Sequence, residues 1–274
     1  MKEFNITDKS ANSESRFVLI AGPCVAESME LCIEVAEKMQ QITSALNITY
    51  VFKASFDKAN RSSVNSPRGP GLKQGLSYLD AVKQKLNLPV VTDIHETAQV
   101  KEVSEIADIL QIPAYLCRQT DLLVAAGNTG KTVNIKKGQF MAPEDMKGAV
   151  DKVKSTGNNK IMLTERGTSF GYHNLVVDMR SLITMKELGV KVVFDATHSV
   201  QLPGGLGNAS GGQREFVKPL ACAAAATGID ALFMEVHPNP EKSLSDGPNS
   251  VNFEMAEDIL KSVLSHSAIQ QGVL

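Results

Sequence analysis

The stretch Phe17-Val-Leu-Ile-Ala-Gly-Pro-Cys24, followed at once by Val25-Ala-Glu-Ser-Met-Glu30, reads as a short buried strand running into a helix. Ser28 supplies a polar cap, and Glu27 and Glu30 place acids at the positive end of the helix dipole. Leu31, Val35, Ile42 and Leu46 then recur as one apolar stripe, so the spacing predicts a helix over Ser28 to Leu46.

Working outward, the same alternation of a β-branched run with a longer amphipathic segment returns eight times. The further strands expected are Tyr50 to Phe56, Pro89 to Ile94, Ile109 to Pro113, Thr132 to Lys137, Lys160 to Glu165, Lys191 to Thr197 and Ala231 to His237. Alternation of this kind belongs to parallel strands joined by helical crossovers. Eight units of about 34 residues match the length of a strand, a helix and two loops, which favours a closed (β/α)8 barrel, a TIM barrel, over residues 17–274. A doubly wound open sheet is the rival, but no Gly-x-Gly-x-x-Gly follows the first strand. Ala142 to Ser155, opening with proline and acids, and the small-residue segment Gly211 to Thr227 are expected as two of the crossover helices. Residues 1–16 are polar and form a short N-terminal extension.

Composition removes several function classes. The 28 basic and 30 acidic residues nearly cancel, and no dense basic run exists to neutralise a nucleic-acid backbone. No apolar stretch reaches the roughly 18 residues of a bilayer span. The first sixteen residues lack the apolar centre of a secretory signal, and the four cysteines are widely separated, so a cytoplasmic protein is expected.

In such barrels the reactive groups stand at the carboxyl ends of the strands. Cys24, His198, Glu235 and Asp246 come from the ends of strands one, seven and eight and the loop beyond, which closure makes neighbours. A thiolate, an imidazole and two carboxylates suit a divalent ion such as Zn, Fe or Mn. Cys24 could equally be a small buried apolar residue, His198 a satisfied histidine and Asp246 a loop cap. Glu235, ending an apolar strand, needs a partner. Lys53, Lys58, Arg61, Arg118, Lys136 and Arg166 all follow strand-like runs, and such a ring wants anions; arginine forks and lysine point charges together suit phosphate and carboxylate. Strand alternation lets only one of Lys136 and Lys137 face inward, and Lys136 is chosen. The glycine-rich segments Gln201 to Gly207 and Ser210 to Arg214 could gate the mouth or simply connect.

These residues fall in long ordered strings: Ala21-Gly-Pro-Cys24, Phe52-Lys-Ala-Ser-Phe-Asp-Lys-Ala-Asn-Arg-Ser-Ser63, Leu116-Cys-Arg-Gln-Thr-Asp-Leu122, Leu163-Thr-Glu-Arg-Gly-Thr-Ser-Phe-Gly-Tyr172 and Asp195-Ala-Thr-His-Ser-Val-Gln-Leu-Pro-Gly-Gly205. From about Phe17 to Leu264 the chain resembles the 3-deoxy-D-manno-octulosonate 8-phosphate synthase family, and Lys-Ala-Asn-Arg-Ser-Ser resembles that branch rather than the related 3-deoxy-D-arabino-heptulosonate 7-phosphate synthases. The resemblance implies condensation of phosphoenolpyruvate with D-arabinose 5-phosphate, with release of phosphate, in the supply of lipopolysaccharide. It also implies a homotetramer. Cysteine after Ala-Gly-Pro is similar to the metal-dependent class, which implies Cys24, His198, Glu235 and Asp246 as ligands of a divalent metal.

By the same resemblance Lys58, Lys136 and Arg166 are phosphoenolpyruvate anchors, with Lys53, Ser55, Gln111, Ala114 and His95 lining that end of the pocket. Asn60, Arg61 and Ser62 resemble the pentose phosphate clamp, Asp93 would meet sugar hydroxyls, and Arg118 would reach a neighbouring subunit's site. His95, Asp246 and a water on the metal are the candidates for moving protons, and Lys58, Lys136 and His198 join His95 and Asp246 as the catalytic set. Two rivals stay open: a Schiff-base aldolase using Lys53 or Lys136, and a non-catalytic phosphosugar-binding barrel.

Overall fold

The computed structural model describes residues 17–61, 63–205 and 210–271, so the expected extension over residues 1–16 lies outside the described residues. Eight parallel strands alternate with eight helices: β1 Val18–Gly22, α1 Met29–Ala45, β2 Thr49–Lys53, α2 Leu72–Leu86, β3 Val90–Asp93, α3 Val100–Ile106, β4 Ile109–Ile112, α4 Thr120–Asn128, β5 Thr132–Lys136, α5 Met146–Lys154, β6 Ile161–Glu165, α6 Arg180–Glu187, β7 Lys191–Asp195, α7 Val217–Thr227, β8 Ala231–Glu235 and α8 Phe253–Gln271. The strands follow chain order around a closed barrel, and β8 returns to β1 with Val18 opposite Ala231 and Gly22 opposite Glu235. Closure excludes the open sheet.

Alternation along each strand separates two cores. Leu19, Phe52, Leu110, Ile135, Leu163 and Phe194 belong to the large core that includes the helices' buried faces, whereas Ile20, Val51, Val91, Ile109, Met162, Val193, Ala231 and Phe233 form a second, smaller cluster. One step of two residues further along the inward face the side chains become polar: Lys53, Asp93, Gln111, Thr164, Asp195 and Glu235, all buried. An apolar floor thus carries a polar layer at the carboxyl end.

All eight expected strands are present, and most end before the sequence pattern does. Cys24, Ser55, His198 and His237 lie beyond the last residues of β1, β2, β7 and β8, where the chain has left the ladder and turns over the mouth. Ser28 caps α1 by accepting from the Leu31 N–H at 3.1 Å. The other two helix expectations are corrected. Residues 143–145 form turns, so α5 starts at Met146 rather than Ala142. Gly211–Gly212 is not helical but pairs antiparallel with Gln201–Leu202, and α7 begins only at Val217. A Cβ on Gly212 would stand 1.6 Å from Asn249 Oδ1, so only glycine lets this ribbon lie so close to the β8–α8 loop. Among the described residues no helix is long and apolar enough to cross a membrane.

Candidate active site

The polar layer opens into a cleft of about 1120 Å³ at the carboxyl end of the barrel, lined by Lys53, Lys58, Lys136, Arg166, His198 and Asp246 and walled by the loops after β2 and β8. Its chemistry divides into three groups.

The first is a thiol–carboxylate cluster. Ligand atoms of Cys24, Glu235 and Asp246 lie within 4.8 Å of one another. The Cys24 thiol donates to Asp246 Oδ2 at 3.2 Å, and His198 Nε2 stands 3.4 Å from Glu235 Oε1 and 3.9 Å from Asp246 Oδ2. Both Glu235 carboxylate oxygens are buried without a hydrogen bond, an expensive arrangement for a carboxylate unless a cation faces it. Lys53 and Lys58 approach Oε1 at only 3.6 and 3.9 Å. Burial, reinforced by Glu235 and Asp246, pushes the Cys24 thiol well up. His198 is oriented from behind: its Nδ1 lies 2.8 Å from Asp195 Oδ2, and its backbone N–H donates to Asp195 Oδ1 at 2.9 Å.

The second group is cationic. Lys136 Nζ donates to Asp195 Oδ2 at 2.8 Å and sits 4.2 Å from the centre of the Phe233 ring. Burial alone would raise the Asp195 carboxyl, but His198 and Lys136 outweigh it and hold Asp195 well below the usual carboxylate range. For Lys58 burial works against the charge, yet Cys24, Glu235 and Asp246 prevail and raise its ammonium above the ordinary lysine value. Arg166 is buried and donates from Nη2 to Gln201 Oε1 at 3.1 Å, while its Nη1 is buried with no partner. Arg166 lines the cleft, and a guanidinium nitrogen without a partner is suited to an anionic oxygen that reaches it.

The third is a hydrogen-bonded belt inside the wall. Thr164 donates to Asn134 Oδ1 at 2.7 Å, Asn134 Nδ2 to Gln111 Oε1 at 3.0 Å, and Gln111 Nε2 to Asp93 Oδ1 at 2.6 Å. From the other side Lys53 Nζ donates to Ser55 Oγ at 2.9 Å, and Ser55 Oγ donates to Asp93 Oδ2. A carboxylate only accepts, so Asp93 fixes the direction of every bond in the belt and hence both amide orientations. Burial pushes Asp93 up, but Lys53, Lys58 and Lys136 together hold it well below the ordinary range.

Residues 3–270 match the DAHP synthetase I family. The chain belongs to that family. Among its relatives is the 2-dehydro-3-deoxyphosphooctonate aldolase of Fusobacterium nucleatum, 59% identical over 260 residues, which cover 95% of this chain and 94% of that protein. Proteins of the same name from Syntrophotalea carbinolica and Desulfatibacillum aliphaticivorans are 57% and 61% identical, the alignments covering 97% and 90% of this chain and 96% and 91% of theirs.

On this DAHP synthetase I barrel most of the expected residues converge. Lys53, Lys58, Asn60, Arg61, Asp93, His95, Ala114, Lys136, Arg166, His198 and Asp246 line the cleft. Cys24 and Glu235 stand behind His198 and Asp246, and Ser55 and Gln111 lie in the belt rather than on the cleft surface. Lys136 faces the lumen and Lys137 the opposite side of the wall, bonded to Thr168 Oγ1 at 2.9 Å. Arg61 spends its guanidinium on the chain itself, donating to Pro67 O, Ser245 Oγ and Leu244 O at 2.9, 2.7 and 3.1 Å. Arg118 does not line this chain's cleft; it is exposed, and its carbonyl accepts from Lys152 Nζ at 2.8 Å. Ser62 lies outside the described residues.

Sequence reading missed Asp195, Asn134 and Gln201. Asp195 carried a signal, an acid closing an apolar strand three residues before His198. Gln201 bridges Arg166 and Asp246, donating to Asp246 Oδ1 at 2.8 Å. A glutamine in a glycine-rich loop announces no such role.

Proposed function

We propose that this chain condenses phosphoenolpyruvate with D-arabinose 5-phosphate and water to give 3-deoxy-D-manno-octulosonate 8-phosphate and inorganic phosphate. The observation that carries this reading is one cleft lined by Arg166, whose Nη1 is buried without a partner, by the Lys53, Lys58 and Lys136 ammonium groups and by the Asn60–Arg61 loop. It occurs in a chain that matches 2-dehydro-3-deoxyphosphooctonate aldolases over nine-tenths of its length or more. Arg166 and the lysines hold the enol phosphate's carboxylate and phosphate. Asn60 takes the pentose phosphate at the rim, and Arg61 joins it by exchanging its bonds to Ser245 and Leu244 for the phosphate oxygens. C3 of the enol attacks the aldehyde carbon, water adds at C2, and the hemiketal phosphate then loses phosphate by C–O cleavage. Clamping two anions in one orientation is the chain's main contribution, worth roughly 7 to 11 kcal/mol in favourable systems. His95, whose pKa is lowered by burial, and Asp246 stand within the cleft to move protons.

The donor set and the orphaned oxygens of Glu235 fit a divalent metal such as Zn, Fe or Mn, which Cys24, His198, Glu235 and Asp246 would hold. When bound, such an ion supplies Lewis acidity towards an oxygen of the substrates. The active protein is proposed to be a cytoplasmic homotetramer, with Arg118 serving a neighbouring subunit's cleft.

Phosphate release from phosphoenolpyruvate, measured with arabinose 5-phosphate and in parallel with erythrose 4-phosphate, tests the reading. Turnover with the pentose that chelator abolishes and divalent metal restores supports all of it. Chelator-insensitive turnover keeps the reaction and demotes Cys24 to packing. Preference for erythrose 4-phosphate moves the chain to the heptulosonate reaction, and no turnover with either overturns the proposal.

A further inference from the structure

Behind the barrel wall, away from the cleft, lies a further buried ion pair that the proposed reaction does not touch. Lys137 and Glu165 are 0% and 1% exposed, and their Nζ and Oε1 atoms are 3.5 Å apart. Burying two charges is costly, and apolar residues of similar volume commonly serve stability as well or better, so such a pair invites a role other than stability. Its hydrogen bonds indicate one. Glu165 Oε1 accepts the backbone N–H groups of Arg166 and Gly167 at 2.9 and 2.7 Å, and Oε2 accepts from Ser181 Oγ at 2.5 Å at the start of α6. Lys137 Nζ donates onward to Thr168 Oγ1 at 2.9 Å and Met141 O at 3.4 Å. Gly167 turns the chain in the left-handed region, at φ +92°. The carboxylate therefore grips the two peptide units from which the Arg166 side chain leaves β6, while the lysine ties the same turn to the end of β5.

We infer that the Lys137–Glu165 pair positions Arg166 and so sets how tightly the cleft takes the anionic end of its enol phosphate substrate. Among the described residues the Arg166 guanidinium donates to Gln201 from Nη2 while Nη1 has no hydrogen-bond partner, so the backbone turn at Arg166–Gly167 contributes to its aim. The inference rests on the proposed reading of the cleft. Glu165 and Lys137 are positioning residues, since neither reaches the lumen.

The test compares Glu165→Gln and Lys137→Met with the unaltered protein for kcat, KM of each substrate, inhibition by inorganic phosphate and thermal unfolding. The expected result is a KM for phosphoenolpyruvate raised by about tenfold or more, with kcat within about threefold and the pentose KM unchanged. The inhibition constant of inorganic phosphate against phosphoenolpyruvate should rise in parallel. A lower Tm with an unchanged phosphoenolpyruvate KM would make the pair purely structural and overturn the inference. If neither variant folds, Ser181→Ala, which removes one bond to Glu165 and no charge, decides by the same KM split. If the unaltered protein shows no turnover, the proposed reaction fails separately; tighter binding of inorganic phosphate by that protein than by the variants would still support the positioning of Arg166, and equal binding would overturn it.

Discussion

Asp195 holds His198 from behind, with His198 Nδ1 2.8 Å from Asp195 Oδ2, so that the opposite ring nitrogen faces Glu235 and Asp246. The carboxylate lies close behind the ring and its Oδ1 accepts the His198 backbone N–H, so Asp195 holds the direction in which Nε2 points. Asp195→Asn should lower affinity for a divalent ion by roughly 10- to 100-fold, the usual cost of losing such a partner. Competition against a chromophoric chelator measures it; affinity equal to that of the unaltered protein would show that Asp195 serves Lys136 alone.

Cys24 gives the most direct test of the metal proposal. It is 1% exposed and its replacement by alanine removes one atom, so Cys24→Ala should fold with a stability loss of about 1 kcal/mol. Bound metal and most activity should be lost together. Full activity in metal-free Cys24→Ala protein would end the case for ligation.

The belt predicts an effect at a distance from the cleft surface. Asn134→Leu strands the Thr164 hydroxyl and the Gln111 carbonyl, both 0% exposed, and each orphan should cost about 1–3 kcal/mol of stability. Gln111 then keeps its bond to Asp93 but loses its second anchor, so Asp93 is held less rigidly from that side. Denaturant unfolding and kcat/KM for the pentose should both fall; an unfolding midpoint within error of the unaltered protein would remove the belt's structural role.

Acid should dissolve part of this arrangement. Asp93 titrates near 3.9 in an unfolded chain but lower in the folded one, so its contribution is fully present above about pH 4 and is lost as pH falls towards its folded value. Asp93→Asn lacks that contribution at every pH. The stability gap between the two proteins should therefore be largest at neutral pH and narrow below pH 4, as read by urea unfolding at several pH values. A gap independent of pH would place the interaction elsewhere.

The barrel was legible because β-branched runs and amphipathic helical patterns alternate eight times from Phe17 onward, and the eight strands fall where those runs lie. Their ends were less so. Apolar runs continue past the ladder at Cys24 and Ser55, since residues over the mouth are as buried as those in the wall. The misplaced start of α7 has the same kind of cause: Gly211–Gly212 pairs with Gln201–Leu202 across a gap in sequence, a tertiary choice that small-residue composition does not encode. Cys24, His198, Glu235 and Asp246 could be named together through resemblance and barrel closure. Asn134 and Gln201 act by hydrogen bonds between strands or loops far apart in the chain, and no local spacing marks such partners; Asp195, three residues before His198, carried a local signal that went unread.

The eight apolar side chains that fill the lower barrel, from Ile20 round to Phe233, leave the chamber above them blind-ended. Among the described residues the way in and out lies at the carboxyl end, where the loops after β2 and β8 wall the cleft. Across that opening Arg61 links the loop after β2 to Leu244 and Ser245 of the loop after β8. A crossbar in that place narrows the way in and the way out alike.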